Sequence, residues 1–357
     1  MIRTTTCLPA GRLVRIKWIM RKFRKIYYCL FISFLLFSCS NKSNMSDVQI
    51  KKLDYPSASA IEYYDGKLYL MGDDATNLLV LDINLKVVDS IPIIPYPGNR
   101  IPKDIKPDLE ASALNGDNLF LFGSGSLSPY RNFGWKHNLK TPVSDGWTVY
   151  PPLSALQDSV TALQDNDGVN LEPLFLKVKE LGIEQINIEG ACFVAGKLIL
   201  VNRGNKGYPH NHLIIIDEKF LDNDSSFQTF IIPLATQKDT ASFKGVSGLC
   251  FARESDQLIL TVSTEDTRNS YDDGAIGKSY LWIIDKISTK IIDRALGTKR
   301  VIDLEFTDPR FKGQKIESAT VIKETDKLIY LALVADNDDG SSTVFKMSIT
   351  KTIVLAE

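Results

Sequence analysis

The chain has 357 residues, 44% hydrophobic and 24% charged, which supplies ample apolar material for a core and excludes an intrinsically disordered polypeptide. Lys and Arg number 42 against 43 Asp and Glu, a net charge of −1, so the basic excess that nucleic-acid binding draws on is missing. Of five cysteines, Cys7, Cys29 and Cys39 fall in or beside the N-terminal leader, and Cys192 and Cys250 lack metal-type CxxC spacing.

In chain order, the first element is an export signal over residues 1–38. Arg21, Lys22, Arg24 and Lys25 form a basic start after Met20, and Tyr27 to Phe37 form an apolar run too short to span a bilayer comfortably. Residues 1–19 have no such character, so Met20 is the expected translation start. The sequence Leu36-Phe37-Ser38-Cys39 resembles the lipobox of bacterial lipoproteins, which implies diacylglyceryl attachment at Cys39 and a membrane anchor there. Residues 39–52 then read as the lipidated cysteine and a polar tether. Because Ser40 follows the cysteine and no acidic run comes next, the expected address is the cell envelope, on the outer membrane facing the periplasm.

Residues 53–357 carry five copies of one pattern: SASAIEYYDGKLYLMG from Ser57, EASALNGDNLFLFG from Glu110, EGACFVAGKLILV from Glu189, SGLCFARESDQLILTV from Ser247 and ESATVIKETDKLIYLALV from Glu317. Each copy opens on Glu or Ser followed by small residues and has an apolar residue four places on: Ile61, Leu114, Phe193, Phe251 or Val321. A Gly- or Asp-containing turn and a second apolar strand come next, which describes a hairpin. The step from the leading residue to the start of the second strand is 10, 8, 8, 10 and 10 residues. Every step is even, so the side chains keep the same face in each copy. Third strands are read at NLLVLDI, HLIIIDE, YLWIIDK and TVFKMSI, and fourth strands at KVVDSIPII and QTFIIPL.

The fold class predicted is all-β: a β-propeller of five four-stranded blades. Leading residues lie 53, 79, 58 and 70 apart, and the 79-residue interval has room for a sixth blade. Five is preferred because GWTVYPPL serves as the third strand of blade two, with EPLFLKVKELG as its last strand running into a short helix. A β-sandwich or barrel is the competing fold, but it does not account for a full motif recurring at so long a period.

The stretches PDLEASAL, NIEGACF, STEDTRNSYDDGAIGKSYL and DNDDG resemble an uncharacterised family of bacterial propellers related to the phytase-like, esterase-like group. The resemblance covers about residues 53–357. It implies the propeller fold and little about chemistry, since one fold hosts many activities.

Propeller geometry puts the leading residues and the loops after the second strands on one face. Glu110, Glu189 and Glu317 are therefore expected around the axis, where three converging carboxylates would be protonated, paired with a cation such as Arg203, or bound to Ca²⁺. The competing reading has each glutamate accept backbone N–H bonds from the next blade and lock the ring. The loop NRGNKGYPHNH offers Asn202 and Arg203 for a phosphate or carboxylate, with His210 or His212 as general acid and Glu189 as a further catalytic candidate. Asp73, Glu265, Asp266, Asp272 and Asp336 are ligand-binding candidates on the same face. The run DNDDG lacks the later bidentate Glu of a calcium loop. Asp82, Asp217 and Asp285 read as turn caps, and Cys192 and Cys250 as small core residues.

The function expected from these residues is binding of a small anionic or polyhydroxylated ligand by a monomeric, lipid-anchored propeller. A calcium-assisted phosphoesterase or esterase-like activity, a glycoside hydrolase and a protein-interaction scaffold of the envelope are the alternatives.

Overall fold

The computed structural model describes residues 48–94, 96–126, 129–141, 168–236, 243–265 and 276–351. The signal segment, Cys39, GWTVYPPL, Asp266 and Asp272 lie outside these residues, as does the side chain of Glu265. Within the described residues, twenty strands form five antiparallel four-stranded sheets. After β1 (Gln49–Leu53), blade one comprises β2 (Ala58–Tyr64), β3 (Lys67–Gly72), β4 (Asn77–Asp82) and β5 (Val87–Pro92). Blade two comprises β6 (Leu109–Asn115), β7 (Asn118–Gly123), β8 (Phe133–Asn138) and β9 (Gly168–Asn170), and blade three β10 (Ile188–Val194), β11 (Lys197–Asn202), β12 (His210–Asp217) and β13 (Thr229–Thr236). Blade four is β14 (Lys244–Ala252), β15 (Gln257–Glu265), β16 (Ile276–Asp285) and β17 (Arg300–Asp303). Blade five takes β18 (Lys315–Glu324), β19 (Leu328–Asp336) and β20 (Ser342–Thr350), with β1 as its outermost strand.

The ring closes: β2 packs on β6, β6 on β10, β10 on β14, β14 on β18, and β18 back on β2. Each wedge between blades is a hydrophobic layer, so the middle strands are apolar on both faces rather than alternating. In β12, Ile214 and Ile216 belong to the layer shared with blade two, while Leu213 and Ile215 belong to the layer shared with blade four.

Three sequence expectations need correction. The third strand of blade two is FGWKHN (β8), because it pairs with β7 from Asn118↔Asn138 to Phe122↔Gly134. EPLFLKVKELG holds no strand: α1 (Glu172–Glu180) starts with a proline in its first turn and buries Leu174, Phe175 and Val178 in the wedge between blades two and three. Gln49 to Lys52, counted with the tether, are part of β1 and pair with β20.

Every first strand has a β-bulge where the pairing slips by one residue, and the extra residue is Ser59, Glu110, Glu189, Ser247 or Glu317. The equivalent of Glu110 in blade one is therefore Ser59, two residues beyond the Ser57 read from the sequence. The small residue after the bulge is required by close approach. A Cβ on Gly190 would lie 2.8 Å from Gly248 Cα, and one on Gly248 would meet the Glu317 carbonyl.

Buried polar side chains near the start of three third strands bind blade three to four, four to five and five to one. Asn211 accepts from Val246 N at 3.3 Å and donates to Lys244 O at 2.8 Å. Ser279 accepts from Ile316 N (3.2 Å) and donates to Gln314 O (2.8 Å), and Ser342 accepts from Ala58 N (3.0 Å) and donates to Tyr55 O (2.8 Å). Replacing Ser279 by Ala leaves the buried Ile316 N–H and Gln314 C=O without these partners. We expect a loss of about 1–3 kcal/mol in stability, measured as a shift in the denaturant midpoint at unchanged slope.

Candidate functional site

Four of the bulge residues and three of the second-strand exits meet at one mouth of the ring, around a cavity of about 610 Å³. The strands fix this convergence. Asp73 N bonds to Ser57 O, and Arg203 N bonds to Asn187 O, so each second-strand exit sits beside the residue two places before a bulge. Ser59, Glu110, Glu189 and Glu317 line the cavity from the bulges, and Asp73, Arg203 and Asp336 line it from the second-strand exits.

The charges in this mouth are compensated in pairs. In blade two, Lys106 bridges Asp73 and Asp108, the latter at 2.7 Å, and Arg131 Nη1 reaches Asp108 Oδ2 at 2.7 Å. In blade three, Glu189 Oε1 accepts from Asn187 Nδ2 at 2.6 Å and lies 3.5 Å from Arg203 Nη1. The Arg203 guanidinium reaches across to blade four, where a Cβ on Gly245 would collide with it. Lys315 pairs with Glu317 at 2.9 Å, and Arg100 holds Asp74 at 2.7 Å on the rim.

Position sets the protonation of each acid. Burial alone would raise the Asp108 carboxyl, but Lys106 and Arg131 outweigh it and hold the group below its usual range. Burial, reinforced by Asp108, Asp73 and Glu189, pushes Glu110 well above its usual range. Asp73 is raised by burial to about 6 despite Lys106, and Asp336 by burial, with Glu317 adding repulsion, to about 7. Asp73 Oδ1 and Asp74 Oδ1 are buried without a hydrogen-bond partner.

Several sequence candidates sit elsewhere. His210 and His212 do not line the cavity. By strand alternation both share the blade-two side of β12, where Tyr208 meets His210 edge-on and His212 at a tilt. His212 is buried, its proton affinity lowered to about 4 by burial and by His210, so it is neutral at physiological pH. Asn202 is fully buried and ties down the preceding loop, accepting from Asn187 N at 2.7 Å and donating to Gln185 O at 3.0 Å. Among the described residues Glu110 accepts no inter-blade backbone bond of the kind a ring lock requires, while Glu189 is engaged by Asn187 and Arg203 and Glu317 by Lys315. The serines at the same position make that link instead, Ser59 donating to Leu109 O and Ser247 to Ile316 O, each at 2.6 Å. Among the described residues, the acids close enough to share a cation are Asp73, Asp108 and Glu110, with ligand atoms within 4.8 Å, not the Glu110, Glu189 and Glu317 set. Their oxygen donors suit a hard cation such as Ca²⁺, yet the Lys106 ammonium already bridges two of them.

Sequence reasoning passed over Lys106, Asp108, Asn187 and Lys315. Three of these stand two residues before a bulge, so the repeat itself could have flagged Asp108, Asn187 and Lys315. Lys106 comes from an inter-blade loop and carries no such signal.

The raised Asp336 carboxyl gives a pH test. The folded state holds this proton more tightly than the unfolded chain, so ionising it costs stability. Relative to the parent, Asp336→Asn should gain stability as pH rises from 4 through 7, level off above that, and show almost no gain at pH 4, read from denaturant midpoints at each pH.

Among curated proteins, none matches the chain. Solved structures with a similar course include a streptogramin B lyase (11% identity over 84% of this chain and 98% of that one, TM-score 0.40) and a glutaminyl cyclase from Myxococcus xanthus (11%, 85% and 97%, TM-score 0.39). A putative exported protein from Bacteroides fragilis NCTC 9343 is 9% identical over 85% of this chain and 96% of that one, with a TM-score of 0.37. Likenesses this distant say nothing about chemistry. A model of a family of unknown function (DUF6929) matches residues 54–349, and the chain belongs to that family.

Proposed function

We propose that this protein is a lipid-anchored envelope propeller whose charged mouth binds a small polyhydroxylated ligand. The carrying observation is the state of the charges in the 610 Å³ cavity. Lys106, Arg131, Arg203, Lys315 and Arg100 each lie against a carboxylate, which leaves an anionic ligand little uncompensated positive charge to meet. Acceptors are in surplus: Asp73 Oδ1 and Asp74 Oδ1 lack donors, and Glu110 has no hydrogen bond or ion pair among the described residues. Hydroxyl groups on a neutral ligand satisfy such acceptors without adding charge. This favours the polyhydroxylated half of the sequence expectation over the anionic half.

A second reading, glycoside hydrolysis, draws on the neighbouring acids Glu110 and Asp108. One is held protonated and the other ionised, which is the division of labour an acid and its partner carboxylate need. In that reading Glu110 is the general acid, since Glu189 is engaged by Asn187 and Arg203.

Calorimetric titration of the full chain with neutral sugars and polyols, against phosphorylated or carboxylated forms of the same skeletons, tests the first reading. Neutral ligands should bind, and Glu110→Gln should weaken them by about 1–3 kcal/mol; tighter binding of the anionic forms sinks the proposal. Release of aryl alcohol from aryl glycosides, abolished by Glu110→Gln, would make the protein an enzyme.

The envelope address and the relation to phytase-like propellers rest on the leader and on the motifs quoted above, and belong to the same proposal. Expressed from Met20, the protein should partition with membranes and carry an acyl mass, while Cys39→Ser should lose the acyl mass, as mass spectrometry and fractionation would show.

A further inference from the structure

A second cavity, of about 380 Å³, opens at the opposite end of the ring from the charged mouth. Its position follows from the repeat. Four residues beyond each bulge stands an apolar, half-buried side chain, namely Tyr63, Leu114, Phe193, Phe251 or Val321, and all five line this cavity. One step deeper on the first strands lie Glu62, Cys192, Cys250 and Thr320. The site is thus an apolar collar over a floor that holds one carboxyl and two neutral thiols.

The hydrogen-bond partners of the Glu62 carboxyl are hydroxyls. Ser112 Oγ donates to Glu62 Oε1 at 3.1 Å, and Thr320 offers a second hydroxyl. Among the described residues no cation pairs with it. Of the charged groups at the opening, Lys351 holds Glu324 at 3.0 Å and Glu254 at 3.6 Å, Lys323 lies over the Tyr330 ring at 4.6 Å, and Arg253 is exposed on the lining. The two thiols are free and buried, and their protons are held more tightly than usual because of burial. They add no charge to the floor.

A carboxyl left without a counter-ion under an apolar, partly aromatic collar matches one kind of ligand. We infer that this cavity binds a primary ammonium group on a short apolar body, with the Glu62 carboxylate as its counter-ion and the collar around the hydrocarbon. The aromatic members, Tyr63, Phe193 and Phe251, add attraction for the cation through their ring faces. The volume falls in the range of small-ligand pockets. This site shares no residue with the charged mouth, so it stands or falls apart from the polyol reading.

Burial raises Glu62 to about 8, against the pull of Ser112 and Thr320, so at neutral pH most of the protein holds this group protonated. An ammonium ligand must then displace that proton, whereas the amine itself stays charged until about pH 10. Binding therefore strengthens as pH rises from 6.5 to 8.5.

The test is calorimetric titration of the full chain with phenethylammonium and hexylammonium chloride, alongside 2-phenylethanol and 1-hexanol as isosteres. We expect saturable binding of the amines, at least about tenfold tighter at pH 8.5 than at 6.5, and no comparable binding of the alcohols. Glu62→Gln should abolish the amine signal, and Phe251→Leu should weaken it at unchanged pH dependence; a folded Glu62→Gln protein is verified by its cooperative melting. Alcohols that bind as tightly as amines, an affinity independent of pH, or amine binding that survives Glu62→Gln would each overturn the assignment.

Discussion

The rest of the structure depends on a buried hydrogen bond that leaves one blade and enters the next. Asn211, Ser279 and Ser342 stand at the start of third strands and take the backbone N–H just before a bulge in the following blade, while donating to a carbonyl shortly upstream of it. Hydrophobic wedges between blades are non-directional and would tolerate sliding. A side chain that both accepts and donates fixes the axial register of neighbouring sheets. The other two junctions carry bonds of their own, Ser59 Oγ to Leu109 O and Ile188 N to Ser124 O, and residues as far apart in sequence as Ser59 and Glu317 share one opening.

From that register follows a polarity along the axis. At one end the bulge residues carry carboxylates, and arginines and lysines approach them from second-strand exits and inter-blade loops. At the other end the same strands present apolar residues, with one carboxyl beneath them. A shift of four residues along each first strand separates the two environments. The charged end is held by opposed pairs in which the cost of desolvation is met by neighbours, as where Lys106 sits between Asp73 and Asp108.

The fold was legible because each blade repeats the same physical demands: a small residue where inner strands touch, an even step to preserve facing, and turn residues at the hairpin. Gly190 and Gly248 show why the small residue recurs, since neighbouring backbone occupies the place of a side chain. Blade two was the hardest to read, because α1 has an apolar face that resembles a strand and β8, with Lys136 and His137, is less apolar than its counterparts. The candidate site was legible where it belonged to the repeat: Glu110, Glu189, Glu317, Asp73, Arg203 and Asp336 all reach the mouth. It failed where composition was the only guide. His210 and His212 lie in a polar-looking loop sequence, yet they belong to the third strand, where alternation turns them toward blade two and not into the mouth. Lys106 and Arg100 come from the connection between β5 and β6, outside the repeated motif, so nothing periodic announced them.

Blade five joins the two ends of the described chain. Of the described strands its outermost, β1, comes first in the chain and its other three come last, and Lys52 reaches Asp339 across 287 residues. This pairing has the highest contact order in the fold, and the entropy of closing so long a loop is recovered only when β20 is in place. The four preceding blades can assemble progressively as an open arc, whereas annular closure is a single late event. An arc without its final blade leaves the inner strand of blade one uncovered on the side where β18 packs.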